Sequence, residues 1–425
     1  MRPAPTHLPP PADAAGPPAP PAPAPAPRLG PLLGIAHLGW MLPVTAGWTL
    51  LQALFERIDP DTKLAHYSAA ATAGALSSTL AVVVFGFLSD HTRSRHGRRN
   101  PWILAGAVAY ALSVSAMSAA GGFAALLALT VCFQTGLNAM LAALYAVLPD
   151  RVPAERLGWA SSWAGLGQLL GQGLGAVAGG LLVTHPEQGL RWLPWLAVLG
   201  ALAFVRFAPD RSSLDDAPAD SPAGPVRGGL LRSLLPPRDA DCFWALISRL
   251  LAMLGIHLVL VYQLFVLTDH LGLSTREAGT VVTIGGLIIA VAAGTAVAVS
   301  GPLSDRVRRR KPFVLAAAAL AAVGLVPLTV APALWSFLLF TVLASLGFGC
   351  LIAVDQAIVS EILPNAHSRA KDLGFLNLAN TVPQVLAPIV AGAVVPAFGY
   401  SALFVLAIAV TLGGGLAILP VRRVR

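Results

Sequence analysis

The chain has 425 residues, of which 56% are hydrophobic and 11% charged, and its formal net charge is +8. Soluble domains carry about 25% charged residues, so these few charges cannot clothe a water-exposed surface of this size, and the natural solvent is lipid. A basic surplus in a soluble protein would point to nucleic acid. Here the Lys and Arg are sorted along the chain by the apolar runs they flank, and no nucleic-acid partner is expected.

Residues 1–31 are mostly Pro and Ala and lack an apolar core segment. They read as an extended, disordered tail and not as a signal peptide. A spanning helix needs about 20 mainly apolar residues. That ruler places spans near 33–54, 68–88, 102–120, 122–147, 158–183 and 191–207, then 242–267, 276–300, 313–330, 332–359, 371–395 and 399–420. The sharpest reversals are expected at Gly121–Gly122 and Ala331–Pro332. Between the sixth and seventh spans lies a Pro-, Gly-, Ser- and Asp-rich linker. The expected organisation is a tail (1–31), a six-helix bundle (32–208), a linker (209–240) and a second six-helix bundle (241–425): an all-α membrane protein of about 12 spans. The three cysteines, Cys132, Cys242 and Cys350, have no ligand spacing and read as small buried residues.

Of the 28 Lys and Arg, 23 fall in the segments that include both termini and the linker. Arg57, Lys63, Arg191 and Arg276 fall in the opposite set, and Arg249 alone lies inside a span. The positive-inside rule puts the basic set, hence both termini, in the cytoplasm. The halves also repeat. Gly86-Phe-Leu-Ser-Asp90 matches Gly301-Pro-Leu-Ser-Asp305, and Val147-Leu-Pro149 matches Ile362-Leu-Pro364, both at an offset of 215 residues. Both copies fall on the basic side, so the repeats are parallel, an arrangement one large class of transporters uses.

The segment GFLSDHTRSRHGRR (86–99) and its copy GPLSDRVRRRK (301–311) resemble the signature loop of the major facilitator superfamily. The first loop carries four extra residues before Gly97-Arg98-Arg99 and is followed by Pro101-Trp102-Ile103, a form similar to that of sucrose transporters and glycoside–cation symporters. The resemblance implies a latch at the cytoplasmic ends made by Asp90, Arg98, Arg99, Asp305 and Arg309. Ser360-Glu361-Ile-Leu-Pro364 with Arg369 resembles the end of the tenth helix of sugar porters, which implies a charge network of Glu361 and Arg369. In the first half Ala146 stands at the Glu position, and Asp150 is the available stand-in. Gly167, Gly171, Gly175 and Gly179 recur every four residues and suit close helix packing; Gly175 to Gly180 also resembles an antiporter signature whose Pro is here Ala176.

Ionisable groups inside spans are expensive and default to functional candidates. Arg249 and Asp355 sit at similar depth and could pair, either as a fixed structural pair or with Asp355 coupling an ion. Glu56 and Asp59 lie at the outer mouth and are expected to be solvated. In the family, spans one, four, seven and ten line the cavity, which selects Trp48, Gln134, Asn138, His257 and Gln263 beside Asp355. Amides exchange hydrogen bonds with hydroxyls and rings cover C–H faces, which suits a polyhydroxylated solute. The same amides also serve as interhelical hydrogen-bonding groups.

The resulting expectation is a monomeric secondary transporter of the plasma (inner) membrane, with both termini cytoplasmic. It would carry a sugar or glycoside with a proton or another cation. The alternatives are a proton-driven exporter of a drug or secondary metabolite, or a non-transporting sensor. No nucleophile–base arrangement, nucleotide-binding loop or metal-ligand cluster is visible, so neither an enzyme nor a cofactor is expected.

Overall fold

In the computed structural model of the chain, the described backbone covers residues 29–153, 156–214, 240–307, 309–362 and 369–422; the side chains of 305, 355–357, 359–362 and 369–381 are outside the description. Lipid offers no partner for backbone N–H and C=O groups, so each crossing must satisfy its own, and the described chain is built of helices. The first six are α1 (Leu29–Ile58), α2 (Lys63–His91), α3 (Asn100–Met117), α4 (Phe123–Arg151), α5 (Leu157–Leu181) and α6 (Pro186–Phe207). The break in α6 falls at Leu193–Pro194. After the linker come α7 (Ala240–Leu260), α8 (Thr275–Val307), α9 (Lys311–Val330) and α10 (Leu334–Ile362). The last helical stretch, Arg369–Leu416, reverses at Gly399 and gives α11 (369–398) and α12 (400–416).

Ten helices among the described residues are long and apolar enough to cross a membrane when α11 and α12 are taken as one. The remaining crossing is α5, whose Gly, Ser and Gln dilute its hydropathy but whose 25 residues reach about 37 Å. The tightest reversal is neither of the two expected ones. It is Gly399, whose φ of 81° lies in the left-handed region that glycine adopts without a Cβ penalty. We call the end that carries residues 29, 91–100, 151–153, 156–157, 207, 240, 307, 309–311 and 422 the basic end, and the other the far end.

The packing repeats as the sequence does. In the first half α1 lies against α5 and α6, α2 and α3 against α4, and α3 against α6. In the second half α8 and α9 lie against α10, and α12 packs on α7 and α9. The halves meet along two seams, α5 with α8 and α2 with α11. Advancing every helix by six turns one seam into the other, so the duplication is also a pseudo-twofold of the fold.

The glycine stripe of α5 faces α1. Gly167 abuts the backbone of Gly34, and Gly171 and Gly175 abut Leu38, Met41 and Leu42, so any side chain would force the two helices apart. Exposed Trp192, Trp335 and Phe398 ring the far end, and Phe243 and Trp244 stand near the basic end, as amphipathic rings do at a membrane–water interface.

Candidate functional site

At the far end the two halves are joined by side chains that sequence reading passed over. After α7 the chain turns at Val261–Tyr262, resumes helix over Gln263–Phe265 and ends in a π turn, Val266–His270. This broken segment plugs the far end, and Tyr262, Leu264, Phe265, Val266 and Leu267 are all fully buried. The turn leaves the Leu264 N–H without a helical partner, and Gln52 of α1 accepts it at 3.0 Å. The Ser68 hydroxyl of α2 and the Tyr262 hydroxyl bond to each other. Tyr67 meets Tyr262 and Phe265 edge-on, with ring centroids 5.7 and 5.6 Å apart.

Lys63, the first residue of α2, completes the closure. Its Nζ lies 2.6 Å from Asp269 in the second half and 3.3 Å from Glu56 in the first. It also sits 5.3 Å from the centre of the Phe265 ring. The Tyr400 hydroxyl donates to the other oxygen of Asp269 at 3.1 Å. Glu56 is therefore part of a cross-half ion cluster and is not simply solvated. Asp59 is the solvated one: the Thr62 hydroxyl holds its carboxyl below the usual range. The sequence did carry a signal for this lock. Lysine is rare at this end, and it sits seven residues after a glutamate.

The α5–α8 seam is an antiparallel zipper of small residues. Val183 packs on Gly279, Gly180 on Gly279 and Thr283, Ala176 on Gly286, Gly173 on Ala290 and Leu169 on Gly294. The Thr283 hydroxyl donates to the Val177 carbonyl across it at 3.4 Å. From Leu169 towards the basic end the zipper stops: the α-carbons of Gly165 and Gly158 in α5 and Gly301 in α8 face open space. The halves are closed at the far end and splay apart towards the basic end.

At the basic end Arg99 is the hub of the first half. It caps α3 and is 5% exposed. Its guanidinium reaches Asp90 at 2.5 Å, Asp150 at 2.8 Å and the Ser89 hydroxyl at 2.6 Å, while Arg98 reaches Asp150 at 3.2 Å. Asp150, one turn after Ala146, is the carboxylate that both arginines share. The extra residues of the α2–α3 loop have a visible purpose. Ser94 and Ser213 exchange hydrogen bonds, Asp210 fills the space over Gly97, and Arg151 donates to the carbonyls of Ala208 and Pro209. The loop thereby holds the chain that leaves α6. In the second half Arg309 is exposed; the side chains of Asp305, Glu361 and Arg369 lie outside the described residues.

The intramembrane candidates do not converge on one point. Trp48 is half-buried and packs edge-on to Tyr67 and Phe133, with centroids 6.3 and 5.6 Å apart. Asn138 is buried and donates to the Gln134 carbonyl at 2.8 Å, and the Gln134 stem lies against Gly74 of α2. His257 bonds back to the Met253 carbonyl at 2.8 Å, and Gln263 opens the short helix after the break in α7. Arg249 is half-buried in α7; the Asp355 side chain lies outside the described residues. Tyr145 and Gln168 stand where the halves splay, Tyr145 being 44% exposed and receiving a hydrogen bond from the Gln168 amide at 3.4 Å.

The family model of the Major Facilitator Superfamily matches the chain twice, over residues 29–298 and 245–425. The chain belongs to the major facilitator superfamily. The overlapping matches express the internal duplication, and superfamily membership makes it a membrane transporter. Among curated proteins none matches. Solved structures of similar fold include a D-xylose–proton symporter, 19% identical with a TM-score of 0.66, covering 92% of this chain and 96% of the other. A nucleoside transporter is 13% identical with a TM-score of 0.71, covering 92% and 99%. A bacterial homolog of the human lysosomal transporter Spinster, described as inward-facing and unoccupied, is 14% identical with a TM-score of 0.67, covering 93% and 96%.

Proposed function

We propose that this superfamily member is an alternating-access secondary transporter that carries a sugar or glycoside together with a proton or another cation. The observation that carries the alternating-access reading is the uneven closure of the two halves, zipped and ion-paired at the far end and splayed from mid-membrane to the basic end. The charge asymmetry assigns the basic end to the cytoplasm, so the conformation reads as open inward. The far-end contacts suit a gate because ion pairs, single hydrogen bonds and ring contacts are each small and can be exchanged for water. Asp90, Arg98 and Arg99, with Asp305, Arg309, Glu361 and Arg369, make the opposing latch. Arg249 and Asp355 supply an intramembrane charge pair for coupling or gating.

For the substrate, the support is the chemistry of Trp48, Gln134, Asn138, His257 and Gln263, together with Tyr145 and Gln168 at the opening: amides, hydroxyls and rings, with little fixed charge. The D-xylose–proton symporter shares the fold. The test is uptake of labelled sugars and glycosides into proteoliposomes with and without an imposed pH gradient, beside a nucleoside and a dipeptide. Gradient-driven accumulation of a sugar or glycoside supports the reading. Accumulation of only the nucleoside or peptide, or extrusion of apolar drugs alone, replaces it.

A further inference from the structure

His37 belongs to no contact described so far. It lies eight residues into α1, about 12 Å from its start at the basic end. Its side chain is fully buried. Nδ1 is 2.8 Å from the Leu33 carbonyl, one turn back. A carbonyl only accepts, so this contact keeps the ring proton on Nδ1 and leaves Nε2 as a bare lone pair. That buried Nε2 has no hydrogen-bond partner, and the buried Trp40 Nε1–H three residues on has none either.

The surroundings are aromatic and uncharged. The Trp40 ring stands edge-on with centroids 6.4 Å apart, and Tyr145 of α4 lies at 5.6 Å. Tyr145 separates His37 from the inward opening, and its hydroxyl is held by Gln168 of α5. Among the described residues no charged side chain contacts the imidazole. None lies in α5, and none in α1 before Glu56. The Asp150 and Arg151 of α4 are engaged at its basic end. The Arg206 of α6 is exposed over Phe207, and the charges of α2 sit at its two ends.

We propose that His37 is a proton-binding site of the transport cycle. When Tyr145 and Gln168 shift, water from the inward opening reaches Nε2. A hydronium ion delivers its proton, a new N–H bond forms, and the carrier leaves as neutral water. The imidazolium then lies among the Trp40 and Tyr145 rings, with centroids 6.4 and 5.6 Å away, and no carboxylate among the described residues traps it. Loading is therefore reversible. The proton sits behind the aromatic side chain that borders the opening, so protonation and the posture of Tyr145 are linked. This site lies in the first half, separate from Arg249 and Asp355 in the second. Its role in transport rests on the proton-coupled reading above; the protonation itself does not.

An imidazolium beside an indole quenches its fluorescence, so the first test needs no substrate. The full chain in nanodiscs is titrated from about pH 8 to pH 4 while tryptophan emission is followed. A one-proton quench is expected, abolished in both His37→Gln and Trp40→Phe and retained in Trp335→Phe. A quench that survives in either of the first two variants, or no quench in the wild type, overturns the proposal. Trp40→Phe keeps the test decisive should His37→Gln not fold. The second test uses D-xylose and liposomes loaded with a pH dye. His37→Gln should retain D-xylose exchange within about twofold and lose at least tenfold of the proton movement that accompanies it. Equal proton movement in wild type and variant removes His37 from coupling. Failure of the wild type to carry D-xylose counts against the sugar reading alone and leaves the fluorescence result standing.

Discussion

At the residue scale the two members of one ion pair carry different duties. Arg99 is 5% exposed and serves Asp90, Asp150 and Ser89 at once. Removing it leaves Asp150 with Arg98 alone, takes the partner from the buried Ser89 hydroxyl and frees the start of α3, so Arg99→Ala is expected to cost about 1–3 kcal/mol of stability, the range for losing buried hydrogen bonds to a charged group. Arg99→Lys should not rescue it, because an ammonium cannot reach three directions in one plane. The side chain of Asp90 is 52% exposed, so Asp90→Asn should change stability by no more than about 1 kcal/mol while it cuts transport. Thermal unfolding of the purified variants beside uptake rates checks both, and equal destabilisation by the two would contradict the division of roles. A second contrast concerns Arg249 and Asp355. A charge in the bilayer is tolerable when another at its depth offsets it, so Arg249→Ala should harm folding more than Arg249→Ala combined with Asp355→Ala. If Asp355 couples, the double variant should exchange substrate and fail to concentrate it. Accumulation with an unchanged pH profile would remove Asp355 from the mechanism.

At the scale of the elements, the α5–α8 zipper works because every contact along it sets a glycine of one helix against the residue that faces it on the other. A methyl added at Gly180 would meet the Gly279 carbonyl and the Thr283 hydroxyl, whereas Gly165 faces open space. Overpacking typically costs about 1–3 kcal/mol, and here the cost applies only while the far end is closed. Gly180→Leu should therefore favour the state open at the far end, and Gly165→Leu should not. The reporter is a cysteine at the fully buried Leu264, in a chain with the exposed Cys132 replaced by Ser. Faster labelling from the far side is expected in Gly180→Leu, and similar rates in the two variants would show that the zipper does not bias closure.

For the whole molecule the question is which state the balance of contacts selects. Lys63 is the one cation the described far end shares between halves, with Glu56 on its own side and Asp269 across. Opening separates Lys63 from Asp269 but not from Glu56, so the lock biases closure without stranding the lysine. Lys63→Gln should raise labelling of a cysteine at Leu264 about fivefold, the population equivalent of about 1 kcal/mol. Exchanging the charges, Lys63→Asp with Asp269→Lys, should bring it most of the way back. No recovery would mean that the pair is incidental to the gate. The same scale holds the orientation: a cysteine at Ser221 in the linker should react only with reagents that reach the cytoplasm, and labelling from outside would reverse both the topology and the assignment of inward and outward ends.

Much of this architecture is a property of the linear sequence. Apolar run length sets the crossings because lipid accepts no unsatisfied backbone. The sorting of Lys and Arg sets the expected orientation, and two motifs at one offset of 215 residues expose the duplication. The α5 stripe announced close packing by its period alone. What it packs on, α1, and the second glycine face that meets α8 are facts of tertiary structure: the helical period points residues 171 and 173 in different directions, but only the folded chain supplies what each of them meets. The far-end lock is likewise invisible in one dimension. Lys63 and Asp269 are 206 residues apart, Gln52 looks like any other intramembrane amide, and the break in α7 that gives it a partner falls inside a stretch that reads as one span, 242–267. His37 was overlooked for the same reason. A histidine in a helix has no chemistry until its neighbours decide whether both ring nitrogens are satisfied, and only the folded chain, by closing Trp40 and Tyr145 around Nε2, makes that decision.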